Sequence, residues 1–166
     1  GCIAWTLALE LPGVQVTAVD ISDDALKVAS GQDFSEEISR SAALKPDFIK
    51  ADVLATPLAE LGQFDVLTSN PPYVMESEKA LMRRNVLDHE PELALFVTDE
   101  DPLIFYRAVA LWASALLKPE GFGIVEINEA LGAETAAVFA EAGMVDVNIV
   151  TDLPGKERFV SFRKPQ

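Results

Sequence analysis

At 166 residues the chain has the size of one ordinary domain, able to bury about 70% of the surface its unfolded form exposes. Thirteen basic against 27 acidic residues leave a formal charge of −14, which repels phosphate backbones and argues against a nucleic-acid groove, or serves only to keep an acidic face solvated. A single Cys and a single His exclude a disulfide framework and a Cys/His zinc site, the longest apolar run (108–117) is too short to span a bilayer, and the opening residues do not read as a signal peptide, so a cytoplasmic protein is expected.

Residues 3–11 look helical, Pro12-Gly13 turns the chain, and 14–19 form a β-branched run that stops at Asp20. Ser22 is a good N-cap for a helix through Ala25, Leu26 and Ala29, with Asp23 and Asp24 at the positive end of its dipole. After a less regular stretch to Leu44 come a short strand at 48–51 ending at Asp52 and a strand at 64–69. Residues 76–91 are polar and weakly periodic, a helix plus loop expected to lie over the site. Asp101 then caps a helix with Pro102 in its first turn and Phe105, Val109, Trp112 and Leu116 on one face, ended by Pro119-Glu120-Gly121. A strand at 122–127, a helix at 132–142 closed by Gly143, an alternating strand at 145–149 and a strand at 158–163 complete the chain. Helices alternating with strands imply an α/β fold with a doubly wound, mostly parallel sheet.

Such a sheet binds ligands beyond the carboxyl ends of its strands. Asn70-Pro71-Pro72-Tyr73 directly follows the strand at 64–69. Both prolines lack an N–H and fix φ, so the carbonyls beside them stay available to accept. The Asn70 side chain adds another acceptor oxygen and Tyr73 a flat ring, a set that suits a planar group bearing an NH2: an amide or an amino-base. The plainer alternative is a proline turn closing a strand. Asp20 and Asp52 stand at two other strand ends, where Asp20 would accept from the hydroxyls of a ribose and Asp52 from an adenine amine; the alternatives are a helix cap at Asp20 and an ordinary turn at Asp52. His89 reads as a surface residue beside Glu90 rather than a base.

These residues resemble the class I methyltransferases that use S-adenosylmethionine, and among them the release-factor glutamine methyltransferases. The resemblance covers essentially the whole chain. It rests on Gly1-Cys2-Ile3-Ala4 as the tail of the glycine-rich cofactor loop, Asp20, Asp52, Asn70-Pro71-Pro72-Tyr73, Glu90-Pro91 with Leu93-Ala94-Leu95, Glu126-Ile127-Asn128, and Gly155-Lys156-Glu157-Arg158. The motif at 70–73 alone is shared with enzymes that methylate amino groups of adenine or guanine. Glu90-Pro91 and the run 152–158 narrow it to glutamine.

The resemblance implies a Rossmann-like sheet with an antiparallel last strand. It also implies that residues 1–166 are a catalytic domain truncated at its amino end, without the family's first strand and helical amino-terminal domain. S-adenosylmethionine would lie on Gly1, Asp20, Asp52 and Asn70. The substrate, a glutamine of a peptide chain release factor, would lie on Asn70, Pro71, Pro72, Tyr73 and Glu90, with Asn70, Pro71 and Tyr73 acting on the reacting amide. No metal, membrane or direct nucleic-acid contact is implied. The rivals are an amino methyltransferase acting on a base of DNA or RNA, a glutamine methyltransferase acting on a ribosomal protein, and an interaction domain that no longer uses the cofactor.

Overall fold

In the computed structural model, which describes residues 1–11, 13–82 and 90–166, the first helix α1 (Cys2–Glu10) buries Ala4, Trp5 and Ala8. Pro12, of the expected turn, and His89 lie outside the described residues. Strand β1 (Thr17–Asp20) starts later than the β-branched run does, because its length is set by its parallel partner β2 (Asp47–Lys50), paired from Thr17↔Asp47 to Asp20↔Lys50. Between them lie α2 (Asp23–Ser30) and α3 (Ser35–Ser41). The Ser22 cap forms as expected: its Oγ accepts from the Ala25 N–H at 3.2 Å, with Asp23 and Asp24 in the first turn. Helix α3 fills the stretch that showed no regular pattern and buries none of its side chains, which is why no periodicity announced it.

These elements belong to a first unit, Gly1–Ala55. Its core gathers Ala4, Ala8 and Val16 with Leu7, Ala18 and Phe48. The Trp5 indole packs between Phe34 and Phe48 and donates to the Ala29 carbonyl at 2.8 Å, so the ring is buried without leaving its N–H unpaired.

The second unit, Thr56–Gln166, opens its sheet with β3 (Phe64–Ser69), where the sequence places it. A two-residue ladder joins β4 (Val74–Met75) to β5 (Phe96–Val97), with a 3-10 turn (Glu76–Leu81) and the short helix α4 (Glu92–Leu95) between them. Helix α5 (Ile104–Leu116) begins three residues after Asp101, which is not its cap. The Asp101 carboxylate instead pairs with Arg107, and its carbonyl accepts from the Ile104 N–H at 3.3 Å, so Asp101 and Pro102 form a turn ahead of the helix. Of the expected face, Val109, Trp112 and Leu116 are buried; Phe105 is half-buried and Tyr106 beside it fully so.

Strand β6 (Leu117–Glu126) follows α5 without a loop. Pro119-Glu120-Gly121, expected to end the helix, is instead a bulge inside the strand, where the register against β3 jumps from Phe64↔Leu117 to Val66↔Phe122. The bulge keeps its backbone paired: Glu120 N–H donates to the Lys164 carbonyl at 3.0 Å and Lys164 N–H to the Gly121 carbonyl at 2.9 Å. Helix α6 (Gly132–Glu141) is closed by Gly143 at φ 84°, a left-handed conformation that glycine adopts at no steric cost. Strands β7 (Val145–Thr151) and β8 (Glu157–Arg163) complete a sheet of order β3-β6-β8-β7. β3 runs parallel to β6, and β8 runs antiparallel to both β6 and β7. The fold is the expected α/β class, mostly parallel with an antiparallel last strand. Among the described residues no helix is long and apolar enough to cross a membrane.

The core of this unit joins Tyr106, Val109, Trp112 and Leu116 of α5 to Val125, Val160 and Phe162 of the sheet and Phe139 of α6. Phe139 and Phe162 stack with centroids 4.2 Å apart, and the Phe162 ring lies over Gly123, its pair across β6 and β8. A Cβ on Gly123 would meet Phe162 Cε2 at 2.1 Å. Gly123→Ala is therefore expected to destabilise the protein by about 1–3 kcal/mol, read as a lower denaturant midpoint. An unchanged midpoint would mean that the ring swings aside freely.

Candidate active site

β3 pairs in parallel along β6 up to Ser69↔Val125, with Leu67 and Ser69 half-buried on one face and Phe64 half-buried on the other. Asn70 is the first residue past that ladder. Its side chain is exposed and makes no hydrogen bond among the described residues, so its oxygen remains an acceptor. Pro71 is buried, and Pro72 and Tyr73 are half-buried.

A turn with two prolines cannot tie itself down through its own N–H groups, and the neighbouring strand end does so instead. The Tyr73 hydroxyl donates to Glu126 Oε1 at 2.7 Å. The Tyr73 carbonyl accepts from Asn128 Nδ2 at 3.2 Å. Asn128 Nδ2 also donates to Glu78 Oε2 at 2.8 Å, and the same carboxylate accepts from the Met75 N–H at 2.9 Å. Asn128 Oδ1 accepts from the Ala130 N–H at 2.9 Å, and its own N–H donates to the Tyr106 hydroxyl at 3.2 Å. At 6% exposure Asn128 is thus fully satisfied, as a buried amide must be. Burial, then the hydrogen bond and charge of Glu126, push the Tyr73 phenol up to about 12, while Arg158 pulls against them. Burial raises Tyr106 as well. Tyr73 is therefore a neutral phenol at physiological pH.

Of the expected set, Asn70, Pro71, Pro72 and Tyr73 are contiguous in the turn. Glu90 is exposed and makes no hydrogen bond or ion pair with them among the described residues. Glu126 and Asn128, together with Glu78 and Tyr106, were given no role by sequence reasoning. A signal existed for the first two: they belong to the run Glu126-Ile127-Asn128 that carries the resemblance, two polar residues flanking an apolar one at the end of a strand.

In the first unit, the carboxyl ends of β1 and β2 lie side by side, with Ala51 N–H donating to the Asp20 carbonyl at 3.0 Å. Asp20 Oδ1 accepts from the Ser22 N–H at 2.8 Å and Asp52 Oδ1 from the Leu54 N–H at 2.9 Å. Each aspartate so locks its own turn with one oxygen and keeps Oδ2 for a donor. Two exposed carboxylates at adjacent strand ends fit the hydroxyls of a ribose and the amine of an adenine. Gly1 is different: it precedes α1, and a Cβ there would come to 2.5 Å from Ala29 Cβ, so its smallness is used in packing against α2.

The hairpin between β7 and β8 is organised by Asp152, which accepts from the Lys156 N–H at 2.9 Å and from Arg158 Nη2 at 3.2 Å. Those contacts, the backbone one first, hold its carboxyl below the usual carboxylate range. Lys156 pairs with Glu129 at 2.9 Å.

Residues 1–82 match the family described as a methyltransferase domain. A methyltransferase from Pyrococcus furiosus shares the fold, with a TM-score of 0.63 at 17% identity, over 99% of this chain and 70% of that one. The chain has the Rossmann-like fold of the methyltransferases. Its sequence relatives include release factor glutamine methyltransferases and bifunctional methyltransferases. The release factor glutamine methyltransferase of Bacteroides thetaiotaomicron is 42% identical over 161 residues, 97% of this chain and 56% of the relative; that of Flavobacterium psychrophilum is 38% identical over 96% of this chain and 54% of the relative. The chain spans about half the length of these two relatives.

The two tyrosines of the chain, both raised, make a spectroscopic check possible. A phenol whose folded value lies above the ordinary 10 contributes stability in full below pH 10, and that contribution is lost as pH rises through about 12. Difference titration of the wild type against Tyr73→Phe should therefore show no phenolate absorbance from Tyr73 near pH 10 while the protein remains folded. A step at that pH would mean that Tyr73 is neither buried nor held by Glu126 as described.

Proposed function

We propose that residues 1–166 are the catalytic domain of an enzyme that transfers a methyl group from S-adenosylmethionine to the side-chain amide nitrogen of a glutamine in a peptide chain release factor. The observation that carries this reading is the acceptor-rich turn of Asn70 and Pro71, open to solvent at Asn70 and tied down through Tyr73, in a chain related to release factor glutamine methyltransferases. A carboxamide nitrogen is a poor nucleophile, because its lone pair is delocalised into the carbonyl. An NH2 whose two hydrogens are accepted by Asn70 Oδ1 and the Pro71 carbonyl is fixed in direction, with one face left for the incoming methyl.

When bound, the cofactor supplies an electrophilic methyl on a positively charged sulfur. Asp20 would hold its ribose hydroxyls and Asp52 its adenine amine. Asn70 and Pro71 orient the substrate amide, and their oxygens interact more strongly as positive charge grows on nitrogen, which favours the transition state over the ground state. The Tyr73 ring packs against the amide. Its phenol stays protonated near neutral pH, so the proton released from nitrogen goes to water. Glu90 shapes the segment that receives the protein substrate and takes no part in bond making. A release-factor substrate places the reaction in the cytoplasm.

Asn70→Ala in the full-length protein should lower turnover by at least about a hundredfold and leave cofactor affinity nearly unchanged, because a positioning group acts on the reacting geometry. Asp20→Ala should instead weaken cofactor binding by roughly 1.5–3 kcal/mol through loss of charged hydrogen bonds. Both are read with labelled cofactor and a release-factor peptide containing the target glutamine, the methyl being located by mass spectrometry, and with calorimetry for binding. Wild-type turnover in the Asn70 variant, or unchanged affinity in the Asp20 variant, would remove that residue from the mechanism.

A further inference from the structure

The turn at 70–73 has little with which to hold its own shape. Pro71 and Pro72 have fixed φ and no N–H, so their freedom is mainly in ψ. The upstream end is set by the ladder at Ser69↔Val125. The downstream end is set from the end of β6, where Asn128 donates to the Tyr73 carbonyl at 3.2 Å while its two other side-chain contacts, to Glu78 and Ala130, keep that side chain from turning and its backbone N–H is held by the Tyr106 hydroxyl. Glu126, two residues earlier, receives the Tyr73 hydroxyl. Tyr73 is thereby held at both its carbonyl and its ring.

We propose that Asn128 is a positioning residue for methyl transfer: by holding the Tyr73 carbonyl it sets the direction in which the Pro71 carbonyl and the Asn70 carboxamide present their oxygens to the reacting amide. The inference rests on the function proposed above. Asn128 does not touch the substrate. It acts through a short, proline-stiffened link, where a displacement of about 1 Å in the acceptors is enough to cost on the order of a hundredfold in rate. Its chemistry at this point is specific, because Asn128 faces two acceptors, the Tyr73 carbonyl and the Glu78 carboxylate, and only an amide supplies two donors there while its oxygen serves Ala130.

The test compares Asn128→Asp with the double variant Asn128→Asp, Glu78→Gln in the full-length protein. In the single variant an acid replaces the donor, so both acceptors lose their partner. In the double variant the amide introduced at position 78 donates to the carboxylate introduced at position 128, and the bond between these positions returns with its direction reversed while the Tyr73 carbonyl still lacks a donor. Asn128→Asp should lower kcat by at least about tenfold, with KM for the glutamine peptide and cofactor Kd changed less than about twofold. The double variant should regain thermal stability and keep the low kcat. Hydrogen exchange over residues 73–77 should be faster in both variants than in the wild type. Wild-type kcat in Asn128→Asp, or recovery of kcat together with stability in the double variant, would show that Asn128 serves only the fold. If the wild type itself does not methylate the glutamine peptide, the substrate reading fails; faster exchange over 73–77 in both variants would still support the positioning role, and unchanged exchange would overturn it.

Discussion

The hydrogen bonds that Glu126 and Asn128 accept from and send to Tyr73 hold the turn at 70–73, on which the proposed chemistry depends. A strand that runs through Asn70 into Pro-Pro leaves its last carbonyls open, and that openness suits the turn to the proposed acceptor role. The same feature deprives it of any internal ladder. The neighbouring parallel strand supplies the missing restraint, because parallel pairing brings the carboxyl ends of β3 and β6 to the same edge of the sheet. Pairing, proline stiffness and a fully satisfied buried amide therefore act together, and none would place the acceptors alone.

That arrangement also explains why polar residues are buried where β6 ends. An asparagine at 6% exposure would be costly if any of its groups lacked a partner, since an unsatisfied buried polar atom forfeits roughly 1–3 kcal/mol. Asn128 uses its amide nitrogen, its oxygen and its backbone N–H, and Tyr106, fully buried in α5, gives its hydroxyl oxygen to the set. Helix α5 thus serves the core with Val109, Trp112 and Leu116 and the site with Tyr106. By contrast, the ion pairs of the exposed surface, such as Arg40 with Glu36 and Lys118 with Asp65, are open to water and contribute little to stability. The net acidity sets the long-range field around the protein rather than its fold.

Much of this was legible in the residues. β3, the Ser22 cap, the helix closed by Gly143 and the α/β class follow from local rules of periodicity, capping and backbone freedom, which act over a few residues and need no partner. Asn70, Asp20 and Asp52 could be placed at strand ends for the same reason. Asp101 and Pro119-Glu120-Gly121 misled, because a carboxylate can pair with an arginine as readily as cap a helix, and a Pro-Gly run can bulge a strand as well as stop a helix. Only the neighbouring chain decides between them: Arg107 in one case, Lys164 and β3 in the other.

The sequence by itself determined the chemical content of the site, since the proline geometry, the carboxamide and the strand-end carboxylates are properties of residues and their immediate order. Tertiary structure alone decided how that content is held. It packed Gly1 against Ala29 of α2 and joined Tyr73 to Glu126 and Asn128 across more than fifty residues of chain. Contacts of that kind depend on which strands pair and in what register, and register is a property of two segments that neither one carries alone.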